Sequence, residues 1–220
     1  MSSTARRMQM AASNVGGGIT DYTYVADVAG GANQSITMPS SAQAGDIAIG
    51  YTSGVGGSST ATWNGFTYIA GISDTFDDVF QYRIVQSGDA GSLFTNSNST
   101  SYDSSCMFVI RPDIAAATVT VSDINNSGQI TTAPADQVLD TPSTGPRILV
   151  SVGSQYGSTS HTVSGHGQGA NSSGSIYTDN SVARILMTVE ILTYTATRTI
   201  SMLDYGSYNR LVSCVITAEP

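Results

Sequence analysis

The sequence has no lysine. All eight basic side chains are arginines, set against 16 acidic ones, for a net charge of −8 and an isoelectric point near 4.3. Such a chain lacks the positive face that a phosphate backbone requires, so nucleic acid is not an expected partner. Charge of either sign is scarce: 11% of residues are Asp, Glu or Arg, where an ordinary soluble protein has about a quarter. Surface polarity must then come from Ser, Thr, Asn and Gly, residues of turns and of outward strand faces. Cysteine is nearly missing as well. Cys106 and Cys214 sit in apolar runs, SSCMFVIRP and LVSCVITAEP, and read as buried thiols; a bond between them would require neighbouring strands. There is no C-x-x-C and no Cys/His ligand spacing, so structural zinc is not expected.

Long apolar runs are absent too. No window approaches the ~18 apolar residues of a membrane-spanning helix, and no membrane partner is expected. The opening MSSTARRMQMAASNVGGG starts basic, as an export signal does. Its apolar stretch, however, is interrupted by Gln9 and ended by Ser13-Asn14, short of the ~7–15 residues a signal needs. The chain is therefore expected not to follow the general secretory route. The Asn-x-Ser/Thr matches at Asn33, Asn98, Asn125 and Asn171 then lose their meaning as glycosylation sites. Nucleophile elbow, H-E-x-x-H, Walker loop and G-x-G-x-x-G are all missing. With no acid/base or nucleophilic set, the chain is not expected to be an enzyme or to carry a cofactor.

What is present is strand after strand. YTYVADV, DIAIGYT, FTYIA, VFQYRIV, CMFVIR and ATVTVS come first; RILVSV, ARILMTVEILTYT, RTISML and LVSCVITA follow. These runs are rich in Val, Ile, Thr and Tyr, several alternate at period two, and Gly/Asn/Asp/Ser clusters separate them. Helical periodicity is confined to Thr4–Ala12, a piece too short to be a stable helix alone in water. The fold class is all-β.

A second pattern lies over the first. SCMFVIRP (Ser105–Pro112) and SCVITAEP (Ser213–Pro220) share Ser-Cys, an apolar run and a closing proline. Upstream, AGDIAIGYTSG lines up with GPRILVSVGSQYG, FQYRIV with LMTVEIL, and LFTNSN with TISMLD. This is a degenerate internal duplication. A half of four or five strands has one apolar face and needs a partner to cover it, so two halves facing each other make one sandwich. The expectation is a jelly-roll-like β-sandwich over residues 21–220, from half-repeats at about 35–112 and 133–220, preceded by an arm at 1–20.

The succession ITMPSSAQAGDIAIGYTSG, ATWNGFTYIAG, VFQYRIVQSGDAGS and SSCMFVIRPDI resembles a sandwich module of bacteriophage virion proteins that also occurs in bacterial surface proteins. The resemblance covers roughly Ser35 to Pro220; it departs from the module at Trp63, which is followed by Asn64-Gly65 rather than preceded by glycine. The start of the chain is similar to the short basic, Met/Ala-rich starts of phage tail and fibre proteins, with Arg6, Arg7, Met8, Met10, Ala11 and Ala12 as the matching positions. The residue types agree with a docking arm. Glycines at 16–18 free a short segment, Arg can fork onto carboxylates, and Met fills irregular pockets on a partner. A frayed terminus without a role is the alternative.

The remaining candidates are weaker. DYGSYNR combines Tyr205, Tyr208, Asn209 and Arg210 in a loop suited to surface contact, with a host glycan or another subunit. His161 and His166 share a glycine-rich loop without preset metal geometry and read as polar loop residues. Asp74, Asp77 and Asp78 in DTFDD lack the spacing of a calcium loop and read as a solvated acidic turn. Asp46 and Asp89 are explained by turn chemistry, and Trp63 by core packing. The resemblance implies a non-enzymatic virion structural protein, assembled in the host cytoplasm, tail- or fibre-associated, and attached by its arm. Other virion proteins would be its partners, and a homo-oligomer such as a trimer its form. A capsid decoration protein and a carbohydrate-binding adhesive module are the alternatives.

Overall fold

The computed structural model describes residues 18–30, 35–55, 62–73, 76–96, 104–128, 131–141, 145–156, 162–167, 171–173, 183–193, 196–203 and 208–220. Among the described residues every regular element is a strand, and all pairings are antiparallel. The first half of the chain contributes β1 (Tyr22–Ala29), β2 (Ile36–Thr37), β3 (Ile47–Val55), β4 (Thr67–Ser73), β5 (Phe76–Ile84), β6 (Leu93–Phe94) and β7 (Ser104–Pro112). The second contributes β8 (Thr118–Asn126), β9 (Gln137–Thr141), β10 (Arg147–Tyr156), β11 (Thr162–Ser164), β12 (Asn171–Ser173), β13 (Ala183–Leu192), β14 (Ala196–Leu203) and β15 (Tyr208–Glu219).

Two five-stranded sheets, ordered β1-β7-β3-β5-β4 and β8-β15-β10-β13-β12, form the body, with smaller sheets β2-β6 and β9-β14-β11. Read strand for strand, the two halves have one topology. In each, the first strand pairs with the last, the second with the last but one, and the third with the strand two before the last. This nested pairing is a long hairpin folded over on itself, the scheme of a jelly roll. Even β11 has a counterpart, since Trp63 bridges Asn96 beside β6 as Val163 pairs with Met202 of β14. Glycines mark the same places. Gly45 and Gly145 both have φ +90°, before the central strands β3 and β10; Gly65 (+81°) and Gly165 (+100°) follow the Trp63 and Val163 pairings. Each half is longer than the sequence pattern delimits. The spans 35–112 and 133–220 leave out β1 and β8, edge strands whose half-exposed sequences share no signature.

The central strands read as near-continuous apolar runs because both of their faces are buried. Ile47, Ile49 and Tyr51 of β3 and Ile148, Val150 and Val152 of β10 point into a core shared by both sheets, as do Cys106 and Cys214. Both thiols are fully buried and unbonded. The alternate residues point outward into two further cores. Ala48, Met107 and Val109 pack under Trp63, Phe66 and Phe94; Leu149 and Val215 pack under Leu139, Ile200 and Met202. The molecule is thus four layers deep, small sheet, large sheet, large sheet, small sheet.

Trp63 is fully buried, as its sequence setting predicts, although it enters through a single bridge rather than inside a strand. Its indole lies on the backbone of Gly50, where an added Cβ would come within 2.1 Å of the ring. Phe66 meets the indole edge-on at 4.9 Å, and Phe94 meets Phe66 at 5.4 Å. Gly50→Ala is therefore expected to cost about 1–3 kcal/mol by overpacking. Trp63→Phe in the same chain should recover part of that loss, read as the urea midpoint.

Candidate functional site

The matched arm positions Arg6, Arg7, Met8, Met10, Ala11 and Ala12 lie outside the described residues, as do Tyr205, His161 and Asp74. The other expected site residues are placed differently from the sequence reading. Tyr208, Asn209 and Arg210 do not form a surface loop. They open strand β15, and Asn209 and Arg210 are buried. Asp77 and Asp78 are not a solvated turn either, being buried in β5.

These two corrections have one cause. Where β3, β5, β10 and β15 come together at one end of the shared core, the apolar filling stops and a polar cluster replaces it. Arg210 Nη1 stands 3.0 Å from Asp78 Oδ2, joining the second sheet to the first. Arg210 Nε donates to Asn126 Oδ1 at 3.1 Å. Ser154 Oγ donates to Asp78 Oδ2 at 3.2 Å and lies 3.2 Å from the Tyr51 hydroxyl. Burial, followed by the Asp78 charge, pushes the Tyr51 phenol far above its ordinary value. Burial works against the Arg210 charge, and Tyr51 and Asp78 outweigh it, so the guanidinium stays charged. Tyr156 and Tyr208 meet edge-on at 6.2 Å beside the cluster.

Two further acids of the first half are held by arginine forks. Asp46 takes both Nε and Nη2 of Arg111 (2.9 and 2.8 Å), and Asp89 those of Arg83 (2.7 and 3.0 Å). Both aspartates also cap a turn, as their glycine neighbours suggest. Gln43 N donates to Asp46 and Gln86 N to Asp89, within the twice-used pattern Gln-x-Gly-Asp. Burial would raise the Asp89 carboxyl; Arg83 and the Gln86 amide overcome it and hold it below the usual range. The sequence reading found the turns and missed the arginines: Arg83 six residues before Asp89 on β5, and Arg111 far along the chain from Asp46 on β7. The repetition of Gln-x-Gly-Asp was the available signal.

On the outer face of the second sheet, Arg198 forks onto Glu190 (3.0 and 2.7 Å), and His166 Nδ1 lies 3.7 Å from Glu190 Oε2. Glycine is required on both sides of His166. A Cβ on Gly165 would strike Thr199 O at 2.0 Å, and one on Gly167 would strike Glu190 Oε1 at 2.3 Å. His166 is therefore a packed side chain rather than a polar loop residue. Burial pushes it down to about 4 from 6.5, against the pull of Glu190. Among the described residues no group of three or more His, Cys, Asp or Glu is gathered to hold a metal. Each of these clusters uses its charge to tie strand to strand. An open groove of about 490 Å³ lies elsewhere, between the end of β8 and the start of β9, lined by Asn125, Asn126, Asp136 and Val138 among others.

Comparison of the chain with protein-family models, curated proteins and solved structures gives no match.

Two outcomes follow from the buried charges. Arg210→Met leaves the Asp78 carboxylate buried and unpaired, and should cost about 3–5 kcal/mol; adding Asp78→Leu should restore most of it, read by urea denaturation. At His166 the unfolded chain binds a proton below pH 6.5 that the folded chain refuses down to about 4. Stability should therefore fall on acidification across that window, by up to about 3 kcal/mol. Glu190, held below its ordinary 4.5, adds to the loss only at lower pH. His166→Phe, which installs the residue found at the matching position 66, should flatten the dependence of the urea midpoint between pH 7 and pH 5.

Proposed function

We propose that this chain is a non-enzymatic structural protein of a bacteriophage particle, assembled in the host cytoplasm and held among its neighbours through its arm. That arm was expected over residues 1–20 but ends before Ile19 and Thr20, since these belong to the body. The observation that carries the reading is the doubled jelly-roll-like body. Its pairing scheme is used twice over one core, and jelly rolls are a frequent architecture of viral shells as well as of lectins. Fold alone does not give function. The module resemblance over Ser35–Pro220 and the phage-like start supply the setting.

The chemistry of the body supports a structural role. Of the buried acids, Asp46, Asp78, Asp89 and Glu190 are each engaged by an arginine of the body, and Asp77 lies buried beside Asp78 in β5. Charge spent on joining strands is what a particle component needs, because it must stay folded without a bound ligand. A tail or fibre position is the first choice, for the arm; a capsid decoration protein shares every feature except copy number.

Quantitative mass spectrometry of purified particles tests the reading. A small fixed number of copies per particle is the expected result and places the protein in the tail, neck or fibres. Copies in the hundreds place it on the capsid. Absence from the particle overturns the proposal and brings forward the free adhesive module.

A further inference from the structure

Charge is segregated along this chain. Residues 1–17 hold two of the eight arginines and no acid, so the rest carries six arginines against all 16 acids. Four of those six arginines are committed to internal ion pairs. Copies of such a body repel one another, and the arm carries the opposite sign.

The groove between β8 and β9 has the complementary chemistry. Both strands are sheet edges, β8 of the large second sheet and β9 of the outer three-stranded sheet, so each leaves main-chain groups open to a further segment. On β9, Asp136 lines the groove, and Val138 and Asp140 follow it on the same exposed face. Val138 is 56% exposed. On β8, Asp123 has φ +50° within an irregularity opposite Ser213–Val215, and its neighbour Ile124 is left 46% exposed. The amides are not what the groove offers. Asn125 Nδ2 is given to the Asp123 and Val138 carbonyls, Asn126 Oδ1 accepts Arg210 and Gly128, and Gln137 is bonded to Leu211 and Ser213. What remains in the groove is the Asp136 carboxylate, the Val138 side chain and strand edges; beyond the lining on the same two strands stand Ile124 and Asp140, whose Oδ1 accepts from Thr197 Oγ1 at 2.9 Å. That set fits a basic peptide with apolar residues better than a sugar.

We infer that this groove receives residues 5–13 of a second copy of the chain, with Arg6 and Arg7 on the carboxylates of Asp136 and Asp140 and Met8 and Met10 on Ile124 and Val138. The inference rests on the docking role given to the arm above and names its partner. Geometry favours a neighbouring copy over the same one. The described chain starts beside Asp113, which Thr20 bonds through N and Oγ1 (3.0 and 2.5 Å), close before β8 begins. The groove is at the other end of β8, roughly 26 Å away at ~3.3 Å per residue. An arm leaving one end and a groove at the other make a head-to-tail contact, which gives a ring of copies where the rotation between them closes and an open filament where it does not.

Sedimentation equilibrium on the full chain tests this, with Trp63 fluorescence confirming that each variant is folded. The wild-type chain should run at a multiple of 22.8 kDa, and high salt should weaken the association. Arg6→Glu with Arg7→Glu, and separately Asp136→Arg with Asp140→Arg, should each give monomer. All four changes in one chain should restore the association. A monomeric wild type, a groove variant that keeps its wild-type mass, or a fourfold variant that stays monomeric overturns the inference. A monomer that is still built into particles would remove this contact and leave the virion reading standing; a ring or filament that is absent from particles would do the reverse.

Discussion

Each large sheet presents a face of Ile, Val, Phe and Cys side chains that water would penalise, and the surface that covers it is the like face of the other sheet. Every buried Val, Ile or Phe contributes about 1.5–3 kcal/mol, whereas an exposed ion pair contributes about 0–1. The pairing of the two sheets is therefore decided by the apolar faces, and the charges are fitted around them. Duplication explains why the faces match. A hairpin that rolls up once leaves an apolar side; the same hairpin rolled up twice supplies the cover.

The charged groups act where the apolar core runs out. Arg210 and Asp78 are buried together at the end of the shared core, where they join the two halves. Breaking such a pair is costly, since it strands a charge in a poorly solvated place, although the intact pair contributes little net stability. Its position joins one end of the first sheet to one end of the second. The forks at Asp46, Asp89 and Glu190 act within each half in the same manner. The two halves also differ where their outer layers fill. Trp63, Phe66 and Phe94 fill the outer layer of the first half, with the indole on Gly50, whereas Val163, His166 and Ile200 hold the matching places in the second. The same architecture thus carries an aromatic plug on one side and a histidine packed against an ion pair on the other.

Much of the fold was legible because its signals are local. IAIGY, ILVSV and CMFVI read as buried strands without any tertiary information, and the repeated Ser-Cys…Pro segment announced the duplication. The edge strands β1 and β8 were visible as strands but not as members of the repeat, because half-exposed strands are free to diverge. Asp78 and Arg210 were misread for a different reason. DTFDD and DYGSYNR have the composition of turns, and nothing local says that each will be buried against the other from far along the chain. His166 was misread in the same way, since Glu190 and Arg198 reach it from β13 and β14. Asp46 and Asp89 were half legible: both turns are local, but Arg111 reaches Asp46 from 65 residues on, and Arg83, though only six residues before Asp89, reads as a strand residue.

The central claim, that neither half stands without the other, is tested most directly by following one probe in each half through the same unfolding transition. Trp63, the single tryptophan, reports the outer layer of the first half by fluorescence. Cys214, buried in the shared core, reports the second by its rate of thiol labelling in increasing urea. One common midpoint for the two signals is the predicted result. Two separated midpoints, with Cys214 becoming reactive while Trp63 is still buried, would contradict the account.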